Sequence, residues 1–306
     1  MNEKKLQFIC LLLLLSGNLH GIIANLNDST DNWIAIQYLN QSDYYNDVPA
    51  QSGGDIIGDP NNNQSGFYKR YEYGADGLVD TDDDLIAFRI RSSNDFLSYY
   101  LIGCDVDNGV DLVPDGAIDF YLGVSFVGGN NSKTKIAFYD TGTGANTSPS
   151  TASFNERFVY KNSAIASDNF DDYANKSAVV LAENEGYDGP DATDDLNADG
   201  VSDYFVSFQV EMSVLNQQYQ AISGTLNELK ADSQMRLVLG SSDNDLNFNQ
   251  DWAGMYDNIN EDAVWDESLG TQIYTLQGAT PVPEPSSYAL IFAALAGVAG
   301  CLKRWR

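Results

Sequence analysis

In residues 118–126 the even positions Ile118, Phe120, Leu122, Val124 and Phe126 are apolar, while Asp119, Gly123 and Ser125 hold the other parity. Successive side chains leave a strand on opposite sides, so a period of two predicts an extended segment with one face on a core and the other turned to water. The same period recurs in Tyr204, Val206, Phe208, Val210 and Met212, with Ser207, Gln209 and Glu211 outward and Phe205 the exception. Shorter segments of strand character lie at 33–38, 67–73, 85–91, 96–103, 135–139, 154–160, 177–181 and 235–241, separated by Gly, Asn, Asp and Ser turns. Only 213–222, with Leu215, Tyr219 and Ile222 on one face and Gly224 beyond its end, has helical spacing. Many strands with a single helix predict an all-β fold, an antiparallel β-sandwich with Asp-rich loops and one short helix. Residues 141–153, rich in Thr, Ser and Gly, read as a surface loop.

Charge narrows the function. The chain has 16 basic and 44 acidic residues. Setting aside the seven charges of the termini (Glu3, Lys4, Lys5, Glu284, Lys303, Arg304, Arg306) leaves 11 against 42, a net charge of −31 on the interior. Such a polyanion repels phosphate backbones, which excludes nucleic acid as a partner. His20 and Cys10 lie near the start and Cys301 near the end, so the interior has no histidine and one cysteine, Cys104. A Ser-His-Asp triad, a His-ligated metal and an internal disulfide are ruled out there, and Cys104 reads as a small buried hydrophobe.

The ends are targeting segments. A charged start, an apolar run from Leu6 to Leu15 broken only by Gln7, and a weakly polar stretch ending at Ala24 make residues 1–24 a secretory signal peptide. At the other end residues 285–302 carry no charge and are followed by Lys303, Arg304, Trp305 and Arg306. Residues 286–302 are expected to cross the membrane as a helix, with the basic cluster 303–306 cytoplasmic and the body, residues 25–280, outside. Directly before that helix stand Pro283, Glu284 and Pro285. This order of Pro-Glu-Pro, apolar helix and basic terminus resembles the PEP-CTERM sorting signal, also named an ice-binding-protein C-terminal domain, here residues 281–306. The resemblance implies a precursor held at the inner membrane until an exosortase-type transpeptidase removes the helix and passes the body to the cell surface or the extracellular matrix.

Within the body, Asp195, Asn197, Asp199 and Asp203, with the carbonyl of Val201 and a turn at Gly200, set oxygen donors at spacings that converge on one hard cation. Position 12 is Val206 where an EF-hand needs Glu, and a strand follows; the segment is similar to the calcium loops of thrombospondin type 3 repeats. A second copy lies 84 residues upstream with Asp111, Asp115 and Asp119, where Val113 replaces one donor and Asp105 and Asp107 are placed to compensate. Ca²⁺ is therefore the expected cofactor. Residues 243–251 and 80–84 are poorer candidates, the first lacking a glycine turn and the second reading as a solvated turn.

Residues 84–124, from Asp84 through Phe88-Arg89-Ile90-Arg91 to Val124, resemble uncharacterised exported bacterial proteins and, more distantly, β-sandwiches of the carbohydrate-binding module family 9 and DOMON type. Three functions follow as expectations. One is a calcium-stabilised surface or matrix protein that associates with exopolysaccharide through aromatic faces such as Trp33, Trp252 and Trp265. Another is a structural or adhesive coat protein without a glycan site. The third is a glycoside hydrolase using two carboxylates, the least favoured because 42 acidic residues make any pair uninformative.

Overall fold

Three strands set the frame of the first sheet: Phe67–Glu72 (β2), Leu85–Ser92 (β3) and Tyr204–Glu211 (β9). In each the apolar parity faces one way, and Phe67, Phe88 and Phe208 line up across the sheet, with Phe67–Phe88 centroids 5.9 Å apart and Phe88–Phe208 5.6 Å apart. Ile34–Ala35 (β1) and Ala174–Ala178 (β8) complete a five-stranded sheet in the order β1-β2-β3-β9-β8. A six-stranded sheet runs β11-β10-β4-β5-β6-β7, built from Tyr274–Thr275 (β11), Gln234–Ser242 (β10), Tyr99–Asp105 (β4), Phe120–Ser125 (β5), Lys135–Asp140 (β6) and Asn155–Asn162 (β7). Every pairing is antiparallel. The computed structural model describes residues 26, 33–38, 54–58, 66–93, 99–106, 112–126, 133–148, 151–178, 202–242, 251–253, 265 and 272–278.

The two sheets share one core. Phe88, Ile90, Val206 and Phe208 from the first pack with Ile102, Phe120, Leu122, Phe138 and Leu237 from the second, all buried, which is the face-to-face arrangement of a β-sandwich. The helix Met212–Ser223 (α2) follows β9 without a loop. Its buried face of Met212, Leu215 and Tyr219 closes the core, and the Tyr219 ring lies 5.8 Å from that of Phe120. Gly224 ends it at φ 71°, a left-handed conformation that glycine adopts without penalty. A second helix of one turn, Phe170–Tyr173 (α1), and a 3-10 turn at Ala166–Asp168 lie outside the sequence expectation.

Three further expectations are corrected. Met212 opens α2 instead of ending β9, its amide donating to the Asp84 carbonyl at 2.8 Å. The strand expected at 177–181 begins earlier, at Ala174, and is described as far as Ala178; 179–181 lie outside the described residues. The faces expected to meet water in β5 and β9 are buried: Ser125 is 1%, Ser207 2% and Gln209 0% exposed.

The cover on β5 is a second core of Leu101, Ile118, Tyr121, Ala137, Tyr139, Phe154, Val238, Trp252 and Trp265 on the outer side of the six-stranded sheet. Ile118 belongs here, not with Phe120, because the regular strand begins only at Phe120 and the parity breaks before it. The loop read as surface is exposed at 142–145 and packs into this layer from Asn146 on, with Ala152 against the second core. Asn146 is buried; its side chain donates to the carbonyls of Thr141 and Gly144 and accepts from Tyr121 Oη at 2.7 Å.

Candidate functional site

The last described stretch of the body, ending at Gly278, stands five residues before Pro283. β11 pairs Tyr274 with Met235, the Leu276 amide donates to the Ser233 carbonyl at 3.1 Å, and the Gln277 amide to the Ala231 carbonyl at 2.9 Å. What fixes this stretch from inside is Lys69, which occupies the core parity of β2 between Phe67 and Tyr71 and is fully buried. Its Nζ donates to the carbonyls of Thr275, Leu276 and Gly278, each at 2.8 Å. Burial pushes the ammonium down to about 7, while three carbonyl acceptors favour its charged form. Sequence reasoning missed Lys69, although a lysine on the apolar parity of an alternating strand was the available signal.

The Asp-rich loops divide by what holds each acid. Asp195, Asn197, Asp199 and Val201 lie outside the described residues, as do Asp107 and Asp111. Asp203 is fully buried at the start of β9 and accepts from Arg91 Nε at 2.7 Å, with a second bond from the same guanidinium; Arg91 is also fully buried. Asp105, at the end of β4, is fully buried and accepts the amides of Asp115 at 2.9 Å and Gly116 at 2.8 Å, with Arg236 at 3.7 Å. Burial raises its carboxyl to about 7, against the lowering effect of those two amides and of Arg236. Asp119 accepts the Val106 amide at 2.7 Å, and Asp115 caps Ala117 at 3.0 Å. Asp105 and Asp119 thus staple the two ends of the 106–118 loop to each other. Among the described residues no three His, Cys, Asp or Glu side chains form a group that could hold a metal ion.

The turn at 80–84 is tied into the fold and not simply solvated. Asp84 is fully buried, accepting from Tyr71 Oη at 2.7 Å and from the amides of Gly74 and Thr81 at 2.8 and 3.0 Å, and Asp80 accepts the Ala231 amide at 2.6 Å. Between this hairpin, α2 and residues 228–230 lies a cleft of about 260 Å³ with Asp80, Asp82, Asn216, Gln220, Glu228 and Lys230 on its walls. Periodicity gives no sign of it.

The tryptophans separate. Trp252 and Trp265 are buried in the second core with centroids 4.8 Å apart, which removes them as platforms for sugar rings. Trp33 is partly exposed, with the guanidinium groups of Arg89 and Arg70 lying 4.2 and 4.7 Å from its ring centroid. Cys104 is buried in the inter-sheet core, and burial pushes its thiol well up, which leaves it unreactive at neutral pH.

The cations are unevenly placed. Of the 11 basic residues of the body, six (Lys69, Arg70, Arg89, Arg91, Lys135 and Arg236) are buried, against five buried aspartates among the described residues (Asp55, Asp84, Asp105, Asp203 and Asp251), so burial removes nearly equal charge of both signs from the surface.

No curated protein and no solved structure matches the chain. The segment expected to cross the membrane lies outside the described residues, among which no helix is long and apolar enough to do so. A family model does match at the end: residues 281–304 are a PEP-CTERM protein-sorting motif, and the chain carries the signal of an exported protein processed by an exosortase.

Proposed function

We propose that this chain is the precursor of a cell-surface or matrix protein whose body is a calcium-stabilised β-sandwich that associates with exopolysaccharide. In this reading it is held at the inner membrane by helix 286–302 until the exosortase acts. The observation that carries the reading is the position of the sorting motif, 281–304, which begins three residues beyond Gly278, the last described residue of the body. A transpeptidase acting at Pro283-Glu284-Pro285 then works five residues from Gly278, the end of the described sandwich. Replacing these three residues by alanine is expected to leave the protein exported but retained in the inner membrane at full precursor length. Normal release of the variant would contradict it.

Calcium is supported by the donor spacing from Asp195 to Asp203 and by a surface whose carboxylates repel one another until a cation sits between them. A cation that binds only the native state at a hundredfold excess over Kd adds about 2.7 kcal/mol, several degrees of melting temperature. Asp199→Ala is expected to abolish the increment of Ca²⁺ over Mg²⁺ at equal ionic strength. Identical melting of the wild type in Ca²⁺, Mg²⁺ and chelator would reduce the loop to a turn.

The coat-protein reading gains from the burial of Trp252 and Trp265, which leaves Trp33 as the aromatic face for a sugar among the three tryptophans considered. Co-sedimentation with insoluble polysaccharide decides between them: calcium-dependent pelleting supports the glycan reading, and absence of binding to any glycan supports the coat. Sugar release abolished by a single Asp or Glu substitution would instead make it a hydrolase.

A further inference from the structure

Gly278, the last described residue before the sorting motif, is held by Lys69, and its surroundings differ from the rest of the described surface. Six large apolar side chains are exposed among the described residues: Tyr73, Leu78, Val79, Phe158, Ile165 and Leu226. Four of them sit on two segments bonded to the stretch that ends at Gly278. Tyr73 Oη accepts from the Gln277 side chain, and the hairpin it begins carries Leu78 and Val79, 61% and 46% exposed. Asp80, next in that hairpin, is bonded to Ala231, whose carbonyl in turn takes the Gln277 amide. Leu226, 93% exposed, lies on the segment that runs from α2 into Ala231, with its carbonyl facing Gln220 at 3.5 Å. Phe158 and Ile165 are on and just after β7, the opposite edge of the sheet from β11.

From Gly278 to residue 286 is eight residues, which reach at most ~29 Å when fully extended. If helix 286–302 anchors the precursor, a bilayer lies within that distance of Gly278. We propose that the Leu78-Val79 hairpin tip and Leu226 rest on the lipid surface while the tail is uncut, so that the body is docked on the membrane and not merely tethered to it. The occupant is lipid and not the sorting enzyme because the recognisable signal is confined to 281–304 and includes no residue of the body. The neighbouring Asp76, Asp80, Asp82 and Asp83 favour zwitterionic headgroups, and side chains of this kind enter the interfacial region without spanning it. The inference rests on the anchored precursor proposed above.

The test uses the full precursor with its tail uncut, carrying Cys10→Ser and Cys301→Ser, in zwitterionic phosphatidylcholine vesicles. An environment-sensitive fluorophore is attached through Leu78→Cys, Leu226→Cys or, as the control on the far edge, Ile165→Cys; Cys104 is buried and does not label. The probes at 78 and 226 are expected to shift to the blue and to be quenched by lipid-borne quencher, while the probe at 165 does neither. After the exosortase has removed the tail, all three are expected to report water. Co-flotation of the protein with vesicles is measured in parallel. Co-flotation with all three probes alike would overturn the docking and leave the anchor standing, and so would a signal at 78 and 226 that appears only when the enzyme is added. Failure to float would overturn the anchor and the docking together.

Discussion

The outer faces of the two sheets are both buried, by opposite chemistries. On the six-stranded sheet Leu101, Tyr121, Tyr139 and Val238 are roofed by Phe154, Trp252 and Trp265. On the five-stranded sheet the corresponding parity carries Arg89, Arg91, Ser207 and Gln209, all buried. Arg91 is paired with Asp203; Arg89 donates to Ser207 Oγ at 3.0 Å and to the Leu26 carbonyl at 2.8 Å while stacking on Trp33 and Phe205. A layer of packed aromatics tolerates a missing partner by leaving a cavity, whereas a layer of buried charge tolerates nothing short of a full set of partners. Polar residues on the outer parity of a strand therefore need not meet water, and here they specify which segments lie over them.

The largest effect is expected where that difference is sharpest. Asp203→Ala leaves Arg91 charged and buried, and is expected to cost about 3–5 kcal/mol in urea unfolding. Converting both to apolar residues, Arg91→Met with Asp203→Leu, is expected to recover most of it. The ion pair alone predicts the same loss in Ca²⁺ and in chelator; a larger loss in Ca²⁺ would show Asp203 to be a calcium ligand as well as the partner of Arg91.

On the aromatic side Trp265→Ala is expected to cost about 3 kcal/mol, with no rescue available from a second substitution, because the loss is packing and not charge balance. Hydrogen exchange should show residues 141–154 losing protection before the inter-sheet core does. Uniform loss across both sheets would mean that the second core is no separate layer.

A smaller effect is expected from filling that layer from beneath. A Cβ on Gly123 would stand 2.6 Å from Leu101 Cδ2 and 3.1 Å from Tyr139 Cε2, so Gly123→Ala should cost about 1–3 kcal/mol by overpacking.

The smallest net change at pH 7 is expected for Asp105→Asn, within about 1 kcal/mol, since losing one amide bond is offset by no longer burying a charge. Its signature is a slope. With its carboxyl raised from 3.8 to about 7 on folding, Asp105 contributes stability that is complete below pH 3.8 and lost as pH rises through 7. The variant should lack that component between pH 4 and 7. A calcium ion bound at the 105–119 loop would hold the carboxylate charged and flatten the slope in the wild type as well, so the same titration with and without Ca²⁺ reads the upstream loop directly.

What was legible in the sequence is what neighbours along the chain decide. The alternation in β5, β9 and β10 places Phe120, Phe208 and Leu237 in the core, and the spacing of Leu215 and Tyr219 gives α2. What covers the outer faces was not legible, because Trp252, Trp265 and Leu26 arrive from distant segments and leave no periodic mark on the strands they cover. β11 is two residues long, too short for a period to show. The acids were legible as residue types, but the partner of Asp203 is 112 residues away and the staple from Asp105 to Gly116 spans a loop. Lys69 was visible as a lysine on the apolar parity of β2, but what it holds was not, since its three carbonyls lie more than 200 residues downstream.

Release of the folded body from its sorting tail is the central proposal. Intact mass measurement of the protein recovered from the cell surface or medium of cells that contain the sorting enzyme tests this most directly. The predicted mass is that of a chain whose N-terminus follows Ala24 and whose C-terminus falls at the Pro283-Glu284-Pro285 motif, without residues 286–306, allowing for any group joined there by transpeptidation. A surface or extracellular form whose mass includes the sequence through Arg306 would contradict it.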